Sequence, residues 1–219
     1  PELSTVESLA AGREVLATKC VVCHDLKTVL AQPRPPAGWW RTVERMAESL
    51  VHRGPDDSGI YVDGPVGMGF RRLSILDLSE AGHQPMVTSD QQYVLVFNGE
   101  IFNYVELRSE LRELGYQFRS SGDSEVLLAA YREWGRNCLA KLNGMWAFVI
   151  FDRRRRCLFG SRDRFGVKPL YVSRVGDVVQ FASEIKALRA SGYVKAGINW
   201  TTAARFLTEG RLDSQRETF

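Results

Sequence analysis

The chain has 219 residues, 44% of them hydrophobic and 25% charged, with 29 Lys and Arg against 26 Asp and Glu. This is the composition of a folded chain of one or two domains rather than a disordered one, and a net charge of +3 makes no electrostatic case for nucleic acid as the main ligand. The longest apolar run, Met145–Phe151, is too short to span a bilayer, no charged-then-apolar leader opens the chain, and four cysteines are too few for a disulfide scaffold.

In chain order, residues 1–32 read as a mostly helical region around Cys20-Val21-Val22-Cys23-His24, and Gln32–Gly38 is a Pro-rich breaker. Trp39–Val51 carries Trp39, Val43, Met46, Ala47 and Leu50 at helical spacing. From Arg53 the texture turns strand-rich. Strands are expected at Gly59–Val62, Gly67–Leu76 and Tyr93–Phe97, the last ending at Asn98-Gly99, residues that tolerate positive φ. Tyr104–Leu114 and Ser124–Trp134 read as amphipathic helices, with Asn103 and Asp123 at their starts. Met145–Phe151 is an apolar strand covered on both faces. It turns through Asp152–Arg155 into Arg156–Gly160, so the four arginines at 153–156 read as a solvated hairpin turn. Lys168–Ser173 and Val178–Ala182 form another strand pair, followed by short helices at Ser183–Ala190 and Thr201–Thr208. Paired strands interleaved with a few helices predict an α+β fold with antiparallel sheets.

Several groups within 52–190 look like parts of a site. Arg72 lies beside an apolar strand, Asn98 and Gly99 at a strand end, and Asp123 at a helix start. A guanidinium for a carboxylate and a carboxylate for an ammonium would hold a small zwitterion, and an amide with a backbone N–H would stabilise an oxyanion. The motifs HRGPDDSG (52–59), RRLSILDL (71–78), GHQPM (82–86), NGEIFNY (98–104), GDSEVLL (122–128), LNGMWAFVIFD (142–152), RDRFGVKPLY (162–171) and FASEIKAL (181–188) together resemble the class II glutamine amidotransferase domain of glutamine-hydrolysing asparagine synthetases.

The resemblance implies a four-layer αββα sandwich of the N-terminal-nucleophile type. It implies that Arg72 binds the α-carboxylate of L-glutamine and Asp123 its α-ammonium. Asn98 and Gly99 would form the oxyanion hole, with Leu73, Ile75 and Glu100 lining the pocket. For Leu73 and Ile75, ordinary strand core is the competing reading. In that family the nucleophile is a cysteine at residue 1 of the mature chain, its α-amino group acting as base. Here position 1 is Pro, no Met-Cys-Gly start precedes HRGPD, and the apolar first strand is expected to be missing. The chain stops at Arg216–Phe219, where the family runs on toward a synthetase domain that binds ATP, magnesium and aspartate. The amidotransferase domain itself needs no cofactor. A chain lacking the nucleophile is expected to have nil or very low glutaminase activity. A Cys20 exposed by cleavage after Lys19 is the alternative nucleophile.

The first segment carries a second resemblance. Cys20, Cys23 and His24 match the attachment motif for haem c, and Gly12–Met46 resembles a mono-haem cytochrome c segment, with Met46 as a possible second axial ligand. Core packing is the other reading of Met46, and a zinc site the other reading of the triplet, though no second ligand pair stands nearby. The expected organisation is therefore a cytochrome c-like segment at 1–48, an amidotransferase domain at 49–195, and the end of that domain at 196–219. Two compartments are implied: cytoplasmic for the larger part, periplasmic for the haem motif. The expected whole is a chimera, with a haem electron-transfer protein fused to a non-catalytic amidotransferase-like domain as the alternative.

Overall fold

A computed structural model describes residues 36–195 and 197–210. Cys20, Cys23 and His24 lie outside the described residues. The first element is α1 (Pro36–Glu48), whose Val43 and Ala47 are buried. It sits on the hairpin of β1 (Asp57–Asp63) and β2 (Val66–Arg72). The approach is close because β2 carries Gly67 and Gly69, where an added Cβ would come within 2.6 and 2.7 Å of the Val43 methyl carbons. Trp39 stacks on Tyr193, and the Arg45 guanidinium donates to the carbonyls of Ala190 and Ser191. The helix thus packs into one layered body with the strands and helices C-terminal to it, across the division expected at residue 48.

The central sheet has the order β3-β4-β5-β6, all antiparallel: β3 (Met86–Val87), β4 (Tyr93–Ile101), β5 (Gly144–Asp152) and β6 (Cys157–Arg162). The helices α2 (Tyr104–Glu113) and α3 (Asp123–Trp134) cover one face, with the four-residue α4 (Cys138–Lys141) beside them. Leu107, Leu111, Val126 and Leu127 from those helices meet Leu95, Phe97, Ile101, Phe148 and Ile150 from the sheet in the main core. On the other face, Val94, Val149 and Phe151 pack on Val66 and Met68 of β2 and on Phe181. Phe181 belongs to a third pair, β7 (Tyr171–Val175) with β8 (Val178–Ala182). Outside this second strand layer lie α1 and α5 (Ile185–Ala190), and α6 (Trp200–Glu209) closes the described chain. The layers run helix, sheet, strand pairs, helix, as the α+β four-layer expectation has it.

Several boundaries differ from the sequence reading, the first helix among them, which runs over Pro36–Glu48 rather than Trp39–Val51. β2 stops at Arg72, and residues 73–78 form an exposed loop, with Leu73 56% and Ile75 71% accessible. These two residues are therefore not strand core. β4 does not stop at Asn98-Gly99 but continues to Ile101, because β5 offers ladder partners along its whole length, Asn98↔Ala147 and Gly99↔Trp146 included. β7 starts at Tyr171 rather than Lys168. The arginine run is a hairpin turn, with Arg153 and Arg156 paired to Asp63 at 2.9 and 3.1 Å. Met46 packs on Ala182, Ala187 and Leu188 with Leu50 and Tyr171, a core position.

The second strand layer is split. Consecutive residues 67–70 of β2 and 178–182 of β8 face each other across an apolar cavity of about 190 Å³, floored by Val96, Ala147 and Val149 and roofed by α1. Among the described residues the second edges of β2 and β8 pair with no strand. Among the described residues no helix is long and apolar enough to cross a membrane.

The main core should dominate stability. Phe148, 1% exposed and packed against Phe159, is expected to cost about 3–5 kcal/mol when replaced by alanine, read from urea midpoints at unchanged slope.

Candidate functional site

β4 carries the site, and its alternation sets the geometry. Odd positions Leu95, Phe97 and Ile101 point into the helix-covered core, so even positions 98 and 100 point the other way, into the space between the strand layers. Backbone groups alternate too. The Phe97 N–H donates to Gln84 Oε1 at 2.7 Å and the Ile101 N–H to Asp123 Oδ2 at 2.8 Å, both on the edge of β4 away from β5. Gly99 lies midway with the same parity, so its N–H points to that edge, into a cavity of about 270 Å³. Asn98 flanks the same cavity, and its buried Nδ2 has no hydrogen-bond partner. Glycine at 99 is required by close approach: a Cβ there would strike the Met145 carbonyl oxygen and lie 2.8 Å from the Trp146 Cα.

The two charged ends are supplied by different layers. Arg72, the last residue of β2, shares the parity of Val66 and Met68 and so faces the interlayer space. It is only 9% exposed, and its guanidinium donates to the carbonyls of Asp77 and Ser79, which orients the fork and leaves further N–H groups for a ligand. Gly82 permits this, since a Cβ there would strike Arg72 Nη2. Asp123 opens α3 and is 6% exposed. Burial raises its carboxyl above the ordinary aspartate value, Glu100 adds to the rise, and the hydrogen bond from Ile101 N–H opposes it. A buried carboxylate of this kind gains most from a bound cation.

All seven residues expected around glutamine, Arg72, Leu73, Ile75, Asn98, Gly99, Glu100 and Asp123, line this one cavity. Leu73 and Ile75 form its exposed lip. Asn98, Phe97 and Gly69 also line the apolar cavity between β2 and β8, so the two cavities adjoin at Asn98. Neither described cysteine lines either cavity. Cys138 is wholly buried in the main core, and burial pushes its thiol up to about 12, which makes it inert at neutral pH.

Supporting residues have side chains with no readable role in sequence, and one of them, Arg108, lies outside the motifs. Arg108 donates to the carbonyls of Ser120 at 2.7 Å and Gly122 at 2.5 Å, anchoring the loop that delivers Asp123. Asp77 accepts from the Ser79 hydroxyl and N–H at 2.6 and 2.8 Å and from the Ser121 N–H at 2.8 Å. The Ser79 hydroxyl bond is the main cause holding its carboxyl well below the usual range, with burial opposing. The first and last motifs meet: His52, Arg53 and Lys186 lie 2.8, 3.1 and 3.2 Å from Glu184. Burial would raise the Glu184 carboxyl, but these contacts hold it at about 2. His83, which has no partner legible in sequence, pairs with Asp57 at 2.7 Å.

The chain matches the family profile described as "Glutamine amidotransferase domain" over residues 25–219. It is similar to asparagine synthetase (glutamine-hydrolyzing) 1 of Bacillus subtilis, 50% identical over 146 residues, which is 67% of this chain and 23% of that protein. It is also similar to asparagine synthetase (glutamine-hydrolyzing) 3 of Bacillus subtilis, 41% identical over 179 residues, 81% of this chain and 28% of that protein. The chain therefore spans about a quarter of the length of these relatives. Among solved structures, glutamine phosphoribosylpyrophosphate amidotransferase from B. subtilis matches with a TM-score of 0.60 at 22% identity, covering 74% of this chain and 42% of that one. At that identity the likeness carries the fold alone. The profile match takes in residues 25–48, which the sequence reading assigned to the first segment.

The Asp77 tie predicts an acid-sensitive loop. A carboxyl depressed in the folded state stabilises fully above its unfolded pKa and loses that contribution as pH falls toward the folded value. Asp77→Asn is therefore expected to be less stable than the parent at neutral pH, with the gap closing as pH drops from about 5 to about 2. Urea midpoints across that range check it, and a constant gap would count against the tie.

Proposed function

The chain belongs to the glutamine amidotransferase domain family, and from that premise we propose that its cavity binds L-glutamine and presents the side-chain amide for hydrolysis. The supporting observation is the Gly99 N–H on the cavity edge of β4 beside the buried Asn98 Nδ2, which has no hydrogen-bond partner. Arg72 takes the α-carboxylate and Asp123 the α-ammonium, which directs the far end of glutamine toward residues 98–99. Leu73 and Ile75 cover the aliphatic stem, and Glu100 lines the wall.

The chemistry then needs a thiolate where the two cavities meet. It would attack the amide carbon, and the charge passing to oxygen would be held by the Gly99 N–H and Asn98 Nδ2. Protonated nitrogen would leave as ammonia, and water would release glutamate from the thioester. Among the described residues neither Cys138 nor Cys157 lines the site, so neither is the nucleophile, and without a thiolate supplied there the cavity would bind glutamine and turn it over at a nil or very low rate. In a longer protein of the relatives' kind, the ammonia would be consumed by a second site that uses ATP and magnesium to activate aspartate, giving asparagine.

Equilibrium titration with L-glutamine tests the binding. Asp123→Asn is expected to weaken it at least about thirtyfold, the cost of stripping one partner from a buried charge pair. Because the Asp123 carboxyl is raised, affinity should start to fall with acid above the pH at which an ordinary aspartate titrates. An unchanged affinity in the variant would sink the assignment. Ammonia release from the parent chain should be at background. A measurable rate abolished by Cys20→Ala would instead make Cys20 the nucleophile.

A further inference from the structure

β3 is only two residues long, yet the edge of β4 that it pairs continues well past it. Met86↔Leu95 and Val87↔Val94 are the backbone partners. The next residue whose backbone groups face this edge is Phe97, and there the partner is a side chain. Gln84 Oε1 accepts the Phe97 N–H at 2.7 Å, and Gln84 Nε2 donates to the Phe97 carbonyl at 3.3 Å. One primary amide thus pairs both backbone groups of one residue, as an adjoining strand would. Gln84 is 5% exposed, and its Nε2 also lies 3.4 Å from Ser124 Oγ, on the first turn of α3 next to Asp123. Four residues along β4, Asp123 holds the Ile101 N–H. The peptide of Gly99 is suspended between these two clamps.

We propose that Gln84 is a positioning residue for the oxyanion hole, acting through the Phe97 backbone to fix the direction of the Gly99 N–H. This rests on the glutamine-binding proposal and deepens it. An oxyanion donor works only when it is already aimed, because a peptide free to rotate must reorganise as charge develops. The Asp123 clamp is shared with the ligand's ammonium, so it changes on binding, whereas the Gln84 clamp does not touch a charge of the ligand and holds throughout. The residue type follows from the pairing. A glutamate would keep the acceptor for Phe97 N–H but offer no donor to its carbonyl, and an apolar side chain of the same length would offer neither.

The test is amide NMR on the 15N-labelled chain, with L-glutamine as probe, comparing the parent with Gln84→Met and Gln84→Glu. In the parent, glutamine should shift the Gly99 amide resonance. Gln84→Met should keep glutamine affinity, which Arg72 and Asp123 carry, but lose the Gly99 shift, and exchange at the Phe97 amide should quicken about tenfold. Gln84→Glu should recover Phe97 protection and only part of the Gly99 shift. A full Gly99 shift in Gln84→Met overturns the proposal, since a merely structural residue would alter stability without touching that resonance selectively. If Gln84→Met does not fold, a Gly99 response in Gln84→Glu equal to the parent's overturns it. If glutamine moves nothing in the parent, the binding proposal fails, and exchange alone decides the positioning: unchanged rates at Phe97 and Gly99 in Gln84→Met overturn it, or, if that variant does not fold, an unchanged Gly99 rate in Gln84→Glu.

Discussion

A buried β-strand edge cannot leave its N–H and C=O groups without partners, and β4 meets that constraint in an unusual way. Its inner edge pairs with β5 over nine residues. Its outer edge receives two residues of true strand and then two side chains, the Gln84 amide at Phe97 and the Asp123 carboxylate at Ile101. The position left between them is Gly99. An edge that was continuous backbone ladder would have consumed this N–H, and an edge with no clamps would have left it free to rotate. Side-chain substitution for the missing strand is what turns one peptide of a structural sheet into a donor aimed at a cavity.

The charges around that peptide are arranged in the same manner. Arg72 commits two donors to loop carbonyls and keeps the rest toward the cavity. Asp123 commits one oxygen to β4 and stays buried with its carboxyl raised. Each charge is therefore fixed in place before a ligand arrives, and each retains capacity that only a ligand of opposite sign at the right separation can use. The apolar cavity between β2 and β8 takes in Asn98 but not Arg72 or Asp123, so a group delivered along it would arrive beside the Asn98 amide rather than at the charged side chains.

Much of this was legible in the sequence because the motifs name residue types that chemistry restricts. Arg72, Asn98, Gly99 and Asp123 carry in their residue types alone the groups suited to a zwitterion and an oxyanion, and they share one cavity. The supports were not legible. Gln84 and Asp77 are ordinary polar residues in loops, and their roles exist only as contacts with Phe97 and Ser121, 13 and 44 positions away. Asn98-Gly99 read as a strand end because local propensity favours a turn there. Strand pairing across β5 overrides that preference, since it satisfies two backbone groups per alternate residue while the turn preference is weaker. Leu73 and Ile75 read equally well as core, and the loop that exposes them is set by Asp77, Ser79 and Arg72 rather than by their own alternation.

By itself, the sequence determined the alternation of strands, the apolar faces of α2 and α3, the antiparallel α+β class and the chemical identity of the polar residues that line one cavity. These follow from side-chain type and spacing along the chain, which the unfolded polymer already carries. The tertiary structure decided which N–H of β4 stays available, which way Arg72 and Asp123 face, where the Glu184 cluster joins residues 131–134 positions apart, and that Met46 and Cys138 are packing groups. Those properties depend on hydrogen-bond partners and burial contributed by distant segments, and burial and partner supply come into being only when the layers close on one another.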